Sequence, residues 1–409
     1  MKPTPALIGH AGTALASLLE FTRPADQALS AYFRRHRNLG QQDRAFVAEA
    51  AFAVLRRWRS LEAAAGSAAP RDLVVAALVR VFGLSGRALG DDASLAARVK
   101  AASGSDLPAA VQADLPDWLW GRLASAYGEQ EAMVIAQGLL GAAPLDVRVN
   151  LAKLTREEAL ARLAVEAACT PHSPAGLRLK GKPAVNRHAL FLEGALEVQD
   201  EGSQLLAYLL APRRGEMVAD FCAGAGGKTL AISMLMHGTG RVYAMDISER
   251  RLRELAPRAA RAGISNVHPV VLAGENDLRA KRLAGKLDRV LVDAPCSGFG
   301  TLRRNPDLKW RHREAAVGEL AAKQMRILDA AAKLVKPGGR LVYATCSILP
   351  DENEAVADRF AAGHPEFAEL SCPDLLAAQR IALDAGARLR LWPHRHGTDG
   401  FFAAAFERR

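Results

Sequence analysis

From residue 1 to about 140 the apolar positions recur at helical spacing. In DRAFVAEAAFAVLRRW the residues Val47, Ala51, Val54 and Trp58 fall three and four apart, and DLVVAALVRVF and WLWGRLASAYG repeat the rhythm. Gly and Pro at 66–70, 83–90 and 104–108 separate the segments. An all-α domain of five or more helices is therefore predicted over 1–140. From 141 to 201, short alternating runs (LDVRVNL, LRLKG, LEVQD) surround one helix, TREEALARLA, and predict a small α+β linker subdomain. From 202 to 409, strand-length apolar runs alternate with helices: EMVADF, RVYAMD, VHPVVLA, DRVLVDAPC and RLVYATC. That alternation predicts an α/β, doubly wound, Rossmann-like domain around a parallel sheet.

Composition sharpens the picture in a few places. A chain of 409 residues, half hydrophobic and a quarter charged, has room for two or three domains and is neither collagen-like nor largely disordered. The net charge of +10 suits a polyanionic partner. Arg and Ala are abundant throughout, however, as a GC-rich genome would make them, so the charge carries little weight alone. Five widely spaced cysteines without a CxxC pair argue against a disulfide framework or a zinc site and fit a reducing cytoplasm; no metal is expected. Gly9 and His10 interrupt the first apolar run, so no signal peptide is expected, and Arg80 breaks the longest one, Leu73–Leu84. Nothing approaches the ~18 apolar residues of a membrane span.

The run Asp220-Phe-Cys-Ala-Gly-Ala-Gly-Gly-Lys-Thr229 follows a strand and opens a helix, which directs backbone N–H groups at a nucleotide-like ligand. A phosphate-binding GxxxxGK[ST] loop would need Gly where Cys222 stands. A dinucleotide GxGxxG starting at Gly224 would need Gly at Thr229. S-adenosylmethionine has no phosphates; it needs a close backbone approach and a carboxylate for its ribose. Asp246, ending the next strand, is placed for that contact.

Asp293-Ala-Pro-Cys296-Ser closes the fourth strand and Thr345-Cys346-Ser the fifth. In a parallel sheet both ends open on the same edge as the Gly-rich turn. A lone cysteine is more often a small buried hydrophobe, and Cys169, Cys222 and Cys372 keep that reading. Two thiols beside a methyl donor suit methylation at carbon 5 of a pyrimidine. A thiolate adding at carbon 6 makes carbon 5 nucleophilic, and a second acid/base group helps the thiol to leave afterwards. Asp293 is placed to hydrogen-bond the exocyclic amine and ring N3. The residues alone do not say which thiol attacks.

Together DFCAGAGGKT, AMDISERRL, LVDAPCSGFGTLRRNPDLKW and LVYATCSILPDENE resemble the Sun/Fmu-type (RsmB-like) ribosomal RNA cytosine-5 methyltransferases. Upstream, NLGQQDRAFVAEAAFAVLRRW resembles their NusB-like helical RNA-binding domain, and DGFFAAAFER their closing strand. The resemblance implies that Cys346 is the nucleophile and Cys296 assists product release. It also implies a cofactor turn of Cys222, Ala223, Gly224, Ala225, Gly226, Gly227 and Lys228, with Asp246 on the ribose and Asp293 near the reacting methyl and base. Lys228 would help to hold the active-site loops or substrate. The family turn is usually CAAPGGK. Here Gly224-Ala225 replaces Ala-Pro, which predicts a looser loop and weaker cofactor binding. The family's Asp on the adenine amine is also missing, and Glu275 is the nearest substitute.

Downstream of Cys296, Arg303, Arg304, Lys309, Arg311 and Arg313 surround Trp310, a pattern that suits phosphate contacts with a stacked unpaired base. Arg34, Arg35 and Arg37, with Arg56, Arg57 and Arg59, extend the candidate RNA track onto the helical domain. The expected partner is small-subunit ribosomal RNA, with the protein acting as a monomer. Two rival readings are a non-catalytic assembly factor that binds RNA, which would not need both thiols and Asp293, and a P-loop ATPase with ATP at Lys228.

Overall fold

A computed structural model describes residues 3–409. The described residues form two compact units: 3–142 together with 301–314, and 143–300 together with 315–409.

The first unit is helical. Its central helix, Pro70–Arg80, buries Leu73 to Leu78 on every face, as a helix apolar all round must. Around it pack the helices Pro5–Leu19, Gln41–Arg56, Trp58–Ala65 and Ala93–Ala101. Thr4 caps the first of these, its side-chain oxygen accepting from the Leu7 N–H ahead of Pro5 at the first helical position. The expected helix through Trp58 breaks at Arg57, and Trp58 opens the next one.

Residues 301–314 depart from the linear division read in the sequence, because they belong to this helical unit. Trp310 packs on its core, edge-on to Trp58 at 5.2 Å, and donates its indole N–H to the Leu55 carbonyl at 2.8 Å. Lys309, 2% exposed, donates to the carbonyls of Arg56 (2.8 Å) and Asp114 (2.6 Å).

The second unit contains two sheets. The smaller comprises β1 (Leu145–Val149), β2 (Ala167–Cys169), β3 (Gly176–Leu179) and β4 (Leu196–Val198), antiparallel in the order β2-β3-β1-β4. With helices Arg156–Arg162 and Ala189–Leu192 between its strands, this is a βαββαβ, ferredoxin-like arrangement.

The larger sheet contains β5 (Met217–Asp220), β6 (Arg241–Asp246), β7 (Val267–Val271), β8 (Leu287–Asp293), β9 (Val335–Thr345), β10 (Phe367–Leu370), β11 (Leu389–Leu391) and β12 (Phe401–Arg408). Its order is β10-β12-β9-β8-β5-β6-β7, with β11 also on β12. Strands β5 to β9 run parallel, and β12 lies antiparallel to β9. Side chains alternate strictly across it. Leu341 and Tyr343 of β9 and Phe402, Ala404 and Phe406 of β12 face helices Glu314–Ala332 and Glu354–Gly363. Val342, Ala344, Phe401, Ala403 and Ala405 face helix Glu201–Leu210. Strand order reverses between β5 and β8, and in such sheets the crevice at that switch, at the strand C-termini, takes the ligand. Among the described residues no helix is long and apolar enough to cross a membrane.

Candidate active site

The Gly-rich turn joins β5 to helix Gly227–Leu235. Gly224 (φ +56°) and Gly226 (φ +85°) both adopt left-handed backbone, which explains glycine at these two positions. A Cβ on Gly226 would also lie 2.2 Å from Leu255 Cδ1. Asp246, at the end of β6, accepts from Gly224 N–H at 2.8 Å and Ser248 N–H at 2.7 Å, so one carboxylate ties the turn to the loop after β6. Asp220 accepts from the Thr229 hydroxyl at 2.7 Å, and its other oxygen is buried without a partner. Burial pushes the Asp220 carboxyl up to about 6.

The looser loop expected from the Gly224-Ala225 replacement is braced from outside. Arg258 donates to the Ala225 carbonyl and pairs with Glu197. Buried Arg148, on β1, donates to the Gly227 carbonyl at 2.9 Å. Gly226 N–H closes the turn on the Ala223 carbonyl at 2.8 Å. Cys222 lies within the turn, and burial, then the neighbouring Asp293, pushes its thiol up.

Lys228 reaches from this helix to Asp293 at the end of β8, with Nζ to Oδ2 at 2.6 Å, and sits over the Phe401 ring at 5.9 Å. Burial pulls the ammonium down, but Asp293 outweighs it and holds Lys228 above its ordinary value. An ammonium neutralised in this way is poorly placed for nucleotide phosphates, which counts against the ATPase reading.

Strands β8 and β9 are neighbours and parallel, with Asp293 opposite Ala344. The loops that follow bring Cys296 and Cys346 together, Sγ to Sγ at 3.4 Å. The hydrogen bond to Cys346, then burial, push the Cys296 thiol well up. Gly300 N–H donates to the Cys346 carbonyl at 2.8 Å, and a Cβ on Gly300 would lie 2.2 Å from the Gly400 carbonyl oxygen. Only glycine fits there.

Glu275, expected at an adenine, pairs with Arg326 at 3.2 Å. Ile247, immediately after Asp246, is 59% exposed, and Leu278 beyond β7 is 72% exposed; sequence reading had passed over both. Also missed were Glu352, Gln324 and Asn353, all buried. No sequence signal marks these three, since Glu352 and Asn353 stand in the polar run PDENE and Gln324 follows Lys323.

The basic cluster after Cys296 lies in the helical unit. Arg303 is 7% exposed and its carbonyl accepts from Arg56, while Lys309 and Trp310 are built into the helical core. Arg311 is half-buried and pairs with Asp307 at 3.2 Å; Arg304 is half-buried. Trp310 uses its ring for packing against Trp58 and its N–H for Leu55.

The chain resembles known proteins over both units. A family model described as 16S rRNA methyltransferase RsmB/F matches residues 207–407, and a ferredoxin-like domain model of RsmF/B-like methyltransferases matches 115–186. The probable ribosomal RNA small subunit methyltransferase B of Synechocystis is 38% identical over 304 residues, covering 72% of this chain and 66% of that protein. The Bacillus subtilis protein of the same description is 35% identical over 313 residues, covering 73% of this chain and 68% of the relative. The matched stretch thus spans about two thirds of these relatives' length. A crystallised methyltransferase homologue from Pyrococcus horikoshii is 30% identical with a TM-score of 0.63, over 75% of this chain and all of that one.

Proposed function

The chain belongs to the RsmB/F family of 16S rRNA methyltransferases, and we propose that it methylates carbon 5 of a cytosine in small-subunit ribosomal RNA through a covalent cysteine adduct. The observation that carries this reading is the 3.4 Å sulfur pair beside the Lys228–Asp293 pair, at the ends of adjacent parallel strands. A methyltransferase acting on an exocyclic amine needs neither sulfur.

The cofactor in this reading is S-adenosylmethionine, which supplies a methyl group activated on a sulfonium. The residues present fit it. The unpartnered buried oxygen of Asp220 is an acceptor suited to an ammonium group. Each Asp246 oxygen accepts one backbone N–H and has a second lone pair for a ribose hydroxyl. Residues 222–228 supply the backbone face, and exposed Ile247 and Leu278 supply apolar surface for the base.

In the reaction the Cys346 thiol proton passes by way of Asp293 to ring N3 as sulfur bonds carbon 6, which drives an electron pair toward carbon 5, and N3 gives that proton up again when the base is released. Asp293, held by Lys228, engages the exocyclic amine and N3, where charge develops. Once carbon 5 bears the methyl group, its proton must leave and the carbon–sulfur bond must break with its electrons returning to Cys346. The Cys296 thiol protonates that departing sulfur, and the thiolate left on Cys296 takes the carbon 5 proton, which restores both thiols. The target base must leave its stack, at a cost of a few kcal/mol that is least for an unpaired cytosine.

On the helical unit, a groove of about 560 Å³ lined by Ser30, Phe33, Arg34, Arg37 and Arg44 takes the RNA backbone. Arg34 and Arg37 are exposed there and unpaired among the described residues, and Arg44 lies over the Phe33 ring at 5.9 Å. The protein acts in the cytoplasm as a monomer. The test is methylation of unmodified small-subunit RNA with a labelled methyl donor. Label is expected in 5-methylcytosine and absent with Cys346→Ala; full activity in that variant, or label in another base, overturns the reading.

A further inference from the structure

Glu352 sits in a one-turn 3₁₀ segment, Pro350–Glu352, after β9, and is fully buried. Among the described residues no cation pairs with it; its charge is met by hydrogen bonds alone. Oε1 accepts from Ser297 N–H at 2.8 Å and from Gln324 Nε2 at 3.0 Å. Oε2 accepts from the Ser297 hydroxyl and the Ser347 hydroxyl, each at 2.5 Å. Ser297 follows Cys296 and Ser347 follows Cys346, so one carboxylate grips the residue next to each thiol.

The residues ahead of the thiols are held by the same cluster. Gln324 Nε2 also donates to the carbonyl of Pro295 at 3.0 Å. The Thr345 hydroxyl donates to Asn353 Oδ1 at 2.5 Å, and Asn353 Nδ2 donates to the Ser347 carbonyl at 3.1 Å. The Tyr343 hydroxyl lies 3.0 Å from Gln324 Oε1 and 2.5 Å from the Glu352 carbonyl, closing the cluster from β9.

A buried carboxylate without a counter-ion is costly, and apolar side chains could brace two loops more cheaply. Only an acceptor-only group, however, can take both serine protons on one oxygen and an N–H on the other. Such charge-assisted bonds are short and directional. We propose that Glu352 is a positioning residue that clamps the Cys296 loop to the Cys346 loop and so sets the sulfur–sulfur separation on which release of Cys346 from the methylated base depends.

The inference rests on the covalent reading above and adds a separable consequence. Adduct formation uses Cys346 at the end of its own strand, whereas release uses both sulfurs in register. Weakening the clamp should therefore slow release more than addition.

The test uses full-length protein with unmodified small-subunit RNA and S-adenosylmethionine, comparing wild type, Glu352→Gln and the paired Ser297→Ala/Ser347→Ala variant. Glu352→Gln places an N–H₂ group where one oxygen took two hydroxyl protons. At unchanged KM, 5-methylcytosine formation is expected to fall at least tenfold while an RNA–protein adduct accumulates several-fold above wild type on a denaturing gel. The double serine variant, which removes little volume, should shift both readouts in the same sense and decides the matter should Glu352→Gln not fold. Turnover within threefold of wild type, or turnover lost without adduct, overturns the inference. Wild type giving neither product nor adduct would instead sink the covalent reading beneath it.

Discussion

Lys228 Nζ lies 2.6 Å from Asp293 Oδ2, so a single ion pair joins the turn after β5 to the end of β8, on the edge where Cys296 and Cys346 meet. Both partners are mostly buried, at 13% and 27% side-chain exposure. Removing one charge leaves the other poorly solvated. Lys228→Met and Asp293→Asn should each destabilise the protein by about 1–3 kcal/mol, and the double variant by less than their sum. Denaturant titration of the four proteins measures the coupling; strict additivity would show that the pair does not act as a unit. In calorimetry the wild type should bind S-adenosylmethionine and ignore ATP, because the lysine a P-loop needs is already engaged.

Arg258 stands where the missing proline of the cofactor turn would have acted, since it holds the Ala225 carbonyl directly. Arg258→Ala should weaken S-adenosylmethionine binding about tenfold, the worth of one charge-assisted hydrogen bond at ~1.5 kcal/mol. Melting temperature without cofactor should change little, because Arg261 still pairs with Glu197 at 2.7 Å. Unchanged affinity in titration calorimetry would mean that the turn is rigid without its brace.

How much of this was legible in the chain differs from element to element. Strands β5 to β9 announce themselves because each is an apolar run of strand length between helices, and the turn, Asp246 and the two thiols follow from where such strands end. β2, at three residues, is too short to show a period, and β10 and β11 carry polar positions that mask theirs. Glu352 was invisible because a buried carboxylate reads in sequence as one more acidic residue of PDENE; only the fold brings Ser297, fifty-five positions away, against it. The sequence around Trp310 misled for a related reason. A cation-rich, aromatic-centred run is the signature of an RNA contact, yet the long stem of Lys309 can equally lie along a core with its charged end on carbonyls.

Lys309 provides a pH test of that burial. Desolvation pulls its ammonium down to about 7, opposed mainly by Asp114. Unfolded, the group titrates near 10.5. Between those values the unfolded chain binds more protons, so this group's contribution to stability rises with pH from about 7 to 10.5 and is flat below 7. Relative to Lys309→Met, wild type should gain stability over that window, by at most ~1.4 kcal/mol per pH unit. Tryptophan fluorescence can follow it, because Trp58, Trp118, Trp120 and Trp310 all belong to the helical unit. A difference that does not change with pH would mean that the ammonium stays hydrated.

The same burial redirects the search for the RNA contact. Counterion release makes each phosphate contact visible as a slope: against single-stranded RNA the logarithm of affinity falls with that of salt by about 0.7 per contact. Arg34→Ala and Arg37→Ala, at exposed and unpaired positions on the 560 Å³ groove, should each weaken binding and flatten that slope by about 0.7. Lys309→Met should leave the slope unaltered, because its ammonium already faces the carbonyls of Arg56 and Asp114. Filter binding between 50 and 200 mM salt, about the range over which such slopes are read, separates the two. If Lys309→Met flattened the slope while the two groove variants did not, the phosphate track would have to run over residues 301–314 after all, and that segment would have to leave the helical core to meet it.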